Sequence, residues 1–258
     1  MAADSKSFWR GRRKRGQRFL VMKNLSAVLF DVDGTLYDPG ILRFILAVCF
    51  IFAWVRHPIR TVKEVHILIH YRRALEWMRN NLSSGVHADS QIKRVAAVTG
   101  ISLQDVRKCV DRWTRRTPLL FMHLCARRKL IRMIKRWHKM GIPMGIYSDY
   151  PSEEKLQKLG IRKCMSVVLC SCDPEVGTYK PDPRGLRVIA RKMGQAPEAC
   201  VYFGDREDTD ILGAHRAGMH GLLFSKKNLA WLDAQIKKPA DTEFPRPSLS
   251  RLRRKLHP

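Results

Sequence analysis

The chain has no disulfide framework, no apolar run of membrane length and no internal repeat, and over long stretches it has few acidic residues. Its seven cysteines (49, 109, 125, 164, 170, 172 and 200) are scattered without a C-x-x-C pair, and Cys170-Ser-Cys172 is the one close spacing. An odd count without a pattern excludes a disulfide-stapled scaffold and reads as small buried thiols in a reducing compartment. The longest apolar run, Phe44–Val55, has 12 residues. A membrane span needs roughly 20, so this run is expected to be a buried or amphipathic helix, part of a helical core rather than a membrane anchor. No apolar stretch with a small-residue cleavage site follows the basic residues 1–21, so no secretory signal is read and a cytoplasmic location is expected.

The shortage of acids is local. The whole chain sets 49 Lys/Arg against 23 Asp/Glu, a net charge of +26 over 258 residues. By segment the balance is +6 over 1–21, −2 over 22–40, +16 over 41–140 (21 against 5), 0 over 141–225 (11 against 11) and +6 over 226–258. Apolar and charged contents of 45% and 28% are those of a globular protein. The length suits one large domain, or a core with a smaller addition. Residues 1–21 read as a disordered basic arm, with Met22 as an alternative start, and 226–258 as a basic tail rich in Pro and Lys/Arg.

What is there is organised around Ala27–Asp38, AVLFDVDGTLYD. An apolar run bounded by turn chemistry reads as a buried parallel strand ending near Asp33-Gly34. Two acids one residue apart at such an exit are costly as structure alone, and ligands of open α/β sheets sit at the carboxyl ends of strands. Pro39-Gly40 then breaks the chain. From Ile41 to about Met140 the pattern is helical: Leu42, Ile45, Leu46, Cys49, Phe50 and Ala53 share one face, Asp89 and Ser102 stand at helix starts, and Pro118–Met140 reads as one long basic helix stopped by Gly141. Alternation resumes after Gly141. Strands are expected over 142–147, 165–170, 199–203 and 220–224, with helices between them, which implies a parallel sheet.

Four of these strand ends or following loops carry polar groups: Asp31/Asp33, Ser148/Asp149, Lys180 and Asp205/Asp210. Here the sequence resembles the haloacid dehalogenase superfamily of phosphatases, over residues 26–40 and about 141–225. DxDGT stands as Asp31-Val32-Asp33-Gly34-Thr35, the strand ending in a hydroxyl as GIYS at Ser148, the lysine before a helix as Lys180 in YKPDP, and GDxxxxD as Gly204–Asp210. The resemblance implies an α/β, Rossmann-like parallel-sheet core (22–40 and 141–225) with an inserted all-helical cap (41–140).

The roles it implies agree with the needs of phosphoryl transfer. Asp31 would be the nucleophile and form an aspartyl-phosphate. Asp33 would protonate the leaving oxygen and then activate water. Mg²⁺ would be held by Asp31, Asp205 and the backbone carbonyl of Asp33. Ser148, Asp149 and Lys180 would contact phosphate, and Asp210 would support Lys180 or the ion's water, a role Asp208 could share.

The acid at position 33 favours phosphate esters over halides, which leave without a proton. The resemblance therefore implies a Mg²⁺-dependent phosphomonoesterase acting on a small anionic metabolite. The alternatives are a phosphosugar mutase, or a non-catalytic relative that binds nucleic acid or an anionic membrane through its basic segments. Phosphonate cleavage would need a Schiff-base lysine, and nothing marks Lys63, Lys93 or Lys108 as one. The cap would act as a lid that selects the substrate. Its charge of +16 fits a strongly anionic ligand, nucleic acid or an anionic membrane, although most of it is expected to form a solvated face.

Overall fold

The structure, a computed structural model, describes residues 25–81, 85, 87 and 89–237. The expected basic arm, the alternative start at Met22 and the tail beyond 237 lie outside the described residues. Five strands form one parallel sheet: β1 (Ala27–Phe30), β2 (Met144–Ser148), β3 (Val167–Cys170), β4 (Cys200–Gly204) and β5 (His220–Leu223), in the order β3-β2-β1-β4-β5. Phe30 lies opposite Ile146 on one side and Phe203 on the other. Asp31, Ser148 and Asp205 therefore leave the sheet along one edge, and the change of direction on either side of β1 makes that edge a ligand site.

All four β1 residues are buried, because the sheet is covered on both faces. On one face lie Leu186, Ile189 and Ala190 of a helix over Arg184–Lys192, with Ala214 and Ala217 of a short helix over Leu212–Ala217. On the other lies a helix over Arg128–Lys139 whose Leu130, Ile134 and Trp137 are fully buried. The Trp137 ring stacks against Phe30 at 6.3 Å.

The helical insertion comprises α1 (Pro39–Arg56), α2 (Pro58–Asn81), α3 (Ser90–Thr99), α4 (Leu103–Val110), a π-helical turn over Asp111–Arg116 and α5 (Thr117–Cys125). Its own core is built from Ile67, Ala74, Ile92, Val95, Val106, Cys109, Val110 and Trp113. Glu64 is buried in it, accepting bonds from Trp113 Nε1 at 2.7 Å, Arg60 at 3.0 Å and Arg112 at 3.2 Å. That set satisfies a carboxylate which burial would otherwise penalise. The insertion leaves and rejoins the sheet through two adjacent segments. Tyr37 bridges Ala126, Asp38 N–H donates to the Cys125 carbonyl at 2.8 Å, and Arg127 N–H donates to the Leu36 carbonyl at 3.0 Å.

The structure differs from the sequence reading at four points. Pro118–Met140 is not one helix: it breaks at Ala126-Arg127, where the backbone pairs with Leu36–Asp38. The second piece, here α6 (Arg128–Lys139), packs on the sheet, so the helical residues belonging with the insertion stop near Cys125. The start of the expected tail is a helix over Lys226–Lys237 (α10 after α7 Glu153–Lys158, α8 Arg184–Lys192 and α9 Leu212–Ala217). Its Leu229, Leu232 and Ile236 enter the sheet's apolar cluster, and Asp233 accepts Trp137 Nε1 at 3.0 Å. Three apolar residues at helical spacing among lysines were enough to dock it.

The fourth difference concerns Phe44–Val55. In α1 only Leu42 is buried, while Phe44 and Phe52 are 71% and 72% exposed. The helix is apolar on every side, and one stripe, through Leu42, Ile45, Leu46, Cys49, Phe50 and Ala53, finds partners.

Candidate active site

Asp31 follows β1 directly and is 4% exposed. Its Oδ1 lies 2.6 Å from Lys180 Nζ, and the same ammonium lies 2.6 Å from Asp210 Oδ1 and 3.1 Å from Tyr202 Oη. Tyr202 stands on β4 and donates a hydrogen bond from its hydroxyl to the Tyr147 carbonyl at 2.8 Å. Asp210 Oδ2 accepts the backbone N–H groups of Asp205 at 3.1 Å and Arg206 at 3.0 Å. Lys180 is thus held between two carboxylates donated by different parts of the chain. Burial disfavours its charge, but Asp31, Tyr202 and Asp210 outweigh that and hold its pKa well above the ordinary lysine value. Burial raises the pKa of Asp31, Lys180 opposes the rise, and Asp210 and Asp33 add to it.

Asp33 points differently. Its Oδ1 accepts Tyr37 Oη at 2.6 Å and Lys155 Nζ at 2.5 Å. Burial opposes ionisation here too, but Lys155 and then Tyr37 hold this carboxyl below the usual range. Two acids two residues apart therefore sit in different environments, Asp31 against Lys180 and Asp33 against Lys155 and Tyr37. Asp33 also borders a cavity of about 710 Å³ between the sheet edge and the insertion, walled by Leu42, Leu46, Leu75, Ile92 and Trp113.

Gly34 carries a φ of +88°, and a Cβ there would sit 2.0 Å from the Asp205 carboxylate. Only glycine permits this turn and this approach. It lets Asp205 join Asp31 and Asp210 in a group whose carboxylate oxygens lie within 4.8 Å of one another. Burial and the neighbouring Asp210 push Asp205 up to about 6. Clustered carboxylates of this kind, with oxygen donors only, match a hard divalent cation such as Mg²⁺. The Asp33 side chain is not in the group, so any part it takes in holding the ion is through its backbone carbonyl.

The remaining residues sort as follows. Ser148 ends β2, is buried, and accepts Tyr150 N–H at 3.5 Å. The Asp149 carboxylate is committed to protein partners: Arg79 of α2, Ser171 Oγ at 3.1 Å and the Lys180 N–H at 3.2 Å. A carboxylate so engaged links the sheet edge to the insertion, so any contact of Asp149 with phosphate is through its backbone N–H. Asp208 is paired with Arg206 at the surface, which leaves Asp210 as the partner of Lys180.

The sequence reading missed Tyr37, Lys155, Arg79 and Tyr202. Tyr37 stands four residues after Asp33 and Lys155 in the first turn after Ser152, but nothing in one dimension shows that they meet on Asp33. The positive charge of the insertion, expected to lie mostly on a solvated face, is not concentrated at the cavity. The cavity is bordered by Arg72, Arg107, Arg115 and Lys155, but also by Asp33, Asp89, Asp111, Asp149, Glu153 and Glu154. The basic excess of the insertion therefore lies elsewhere on its surface.

Comparison with known proteins agrees with this geometry. A family model described as haloacid dehalogenase-like hydrolase matches residues 25–218. Glyceraldehyde 3-phosphate phosphatase of Methanopyrus kandleri is 32% identical over 199 residues, covering 76% of this chain and 82% of that protein. Phosphoglycolate phosphatase of Salmonella typhimurium is 24% identical over 229 residues, covering 76% and 80%. Among solved structures, the 2-haloacid dehalogenase from Pseudomonas syringae superposes with a TM-score of 0.54 at 19% identity, over 78% of this chain and 86% of that one, a likeness of fold alone. With a family model over most of its length and a relative of this identity, the chain belongs to the haloacid dehalogenase-like hydrolase family.

Proposed function

We propose that this protein is a Mg²⁺-dependent phosphoric monoester hydrolase acting on a small phosphorylated metabolite through an aspartyl-phosphate on Asp31. The observation that carries the reading is the buried Asp31 held 2.6 Å from Lys180, with a second acid, Asp33, two residues away at the cavity wall. The two relatives named above are phosphatases of small phosphate esters.

In the first half-reaction an Asp31 carboxylate oxygen attacks phosphorus. The bond from phosphorus to the ester oxygen breaks, and Asp33 delivers its proton to that oxygen. In the second half, Asp33, now a carboxylate, takes a proton from water as the water oxygen attacks phosphorus. Asp31 is released and inorganic phosphate departs. Lys180 offsets negative charge beside Asp31 throughout, and Ser148 offers a hydroxyl to a phosphoryl oxygen. Asp31, Asp205 and Asp210 have the donor type and spacing to hold Mg²⁺; when bound, it would neutralise phosphate charge that otherwise repels Asp31.

The test is phosphate release from p-nitrophenyl phosphate and a panel including glyceraldehyde 3-phosphate and phosphoglycolate. Turnover with Mg²⁺, its loss in EDTA, and a fall of more than about 10³-fold in Asp31→Asn are expected. No turnover across the panel with Mg²⁺ present would overturn the reading.

A further inference from the structure

The outer face of α1 and the first turns of α2 form an exposed apolar surface, and the one exposed acid of the two helices, Glu76, stands near the far end of α2, paired with Arg79. Along α1, Phe44, Ile51, Phe52 and Val55 recur at helical spacing and all are more than half exposed. Past the break at His57-Pro58, Ile59 and Val62 of α2 continue the exposed set at 88% and 63%. Trp54, 55% exposed, stands at the turn between the helices. Monomeric proteins seldom leave so much contiguous helix apolar in water, and such a surface marks an interaction site.

Charge says what it meets. Between residues 39 and 75 the chain carries six Lys/Arg and one acid, Glu64. That acid is buried and already bonded to Arg60, Arg112 and Trp113. Arg43, Arg56, Arg60, Arg72 and Arg73 are exposed. An apolar strip flanked by cations and free of exposed anions, with tryptophan at one end, has the composition of a helix that lies in the interface of an anionic bilayer.

Other occupants fit less well. The terminal segments, 1–21 and 226–258, carry +6 each, and a second copy would present the same basic hairpin; both would bring positive charge against positive. A nucleic acid would match the charge but leave the apolar strip without a partner. By length and composition Pro39–Arg56 could cross a membrane, but its packing in this structure favours lying on the surface. The inner stripe of α1 is engaged with the insertion core through Leu46, Cys49, Phe50 and Ala53, and Phe50 stacks on Trp113 at 3.6 Å.

We infer that the α1–α2 hairpin docks this protein onto the surface of an anionic lipid membrane, with Phe44, Ile51, Phe52 and Val55 in the interfacial layer and the flanking arginines on lipid headgroups.

The experiment is flotation of the full chain with vesicles of phosphatidylcholine, alone or mixed with phosphatidylglycerol. Binding to the mixed vesicles at least about tenfold stronger than to phosphatidylcholine, and weakened by salt, is expected from several basic residues near the surface. The triple variant Phe44→Ser/Phe52→Ser/Val55→Ser keeps both basic termini. It should lose flotation by about tenfold or more, with unfolding temperature and release of phosphate from p-nitrophenyl phosphate unchanged. Arg56→Gln/Arg60→Gln should lose the preference for anionic vesicles. Absence of flotation by the parent chain overturns the inference. So does flotation that the triple variant retains, which would assign binding to the terminal segments. A parent chain that is dimeric by light scattering and becomes monomeric in the triple variant would assign the face to a second copy and overturn it too.

Discussion

The sheet edge and the helical insertion both bury charge, but in different ways. At the sheet edge, Lys180, Asp31 and Asp210 are buried together, with Asp205 drawn to within 4.8 Å of the two acids. In the insertion, one buried acid, Glu64, collects two arginines and an indole. The first arrangement carries more carboxylates than its lysine balances and leaves the pKa values of Asp31 and Asp205 raised. The second is satisfied by its own donors. Functional sites concentrate perturbed groups, whereas a satisfied buried ion specifies packing. The surfaces differ as well: the segment carrying most of the sheet is charge-neutral, and the insertion holds the basic excess with an apolar helix face beside it.

Four substitutions would sharpen or break this contrast. The largest effect is expected from Lys180→Met. Phosphate release should fall to background, and urea unfolding should show a loss of about 3–5 kcal/mol, because Asp31 and Asp210 are left buried without their cation. Unchanged stability would mean that the two acids are not held as charges by Lys180.

Next is Lys155→Ala. Burial opposes ionisation of Asp33, and Lys155 is the strongest influence holding its pKa down. Removing the ammonium raises that pKa. The protonated acid then persists to higher pH, so the descending limb of kcat/KM should move to higher pH. A limb that stays in place would separate Asp33 from the proton transfer.

Arg79→Ala cuts the bond from α2 to Asp149. It should cost about 1–3 kcal/mol in unfolding free energy, and raise KM more than it lowers kcat, because it loosens the insertion over the cavity without touching the reacting atoms. The smallest effect on catalysis is expected from Glu64→Gln. Thermal unfolding should register a loss of about 1–2 kcal/mol as charge-assisted bonds become neutral ones, while kcat/KM stays within a factor of two. A large catalytic loss there would erase the distinction between the two buried charge clusters.

The four strand-end motifs were legible because each is short and contiguous. DVDGT places the proposed nucleophile, a second acid and a turn glycine within five residues, and GDREDTD groups the acids at the end of the neighbouring strand. Parallel pairing then has only one way to bring them together, at the carboxyl edge. The helix Lys226–Lys237 was not legible, because its apolar positions are sparse among charged ones. The break at Ala126-Arg127 was not legible either, since neither residue is a helix breaker; it is set by backbone bonds to Leu36 and Asp38, some 90 residues earlier.

The sequence by itself determined the chemistry at the sheet edge: which residues could attack, move a proton and hold a cation. Those roles depend on side-chain type and on spacing within a few residues, which the chain carries directly. Tertiary structure alone decided that Lys155 and Tyr37 converge on Asp33, that the Asp149 carboxylate is tied to Arg79, and that one face of the apolar run Phe44–Val55 is left open. Each of these depends on what lies across space from a residue. An apolar helix reads the same whether its face is packed against protein or left open, because periodicity records where side chains point and not what they meet.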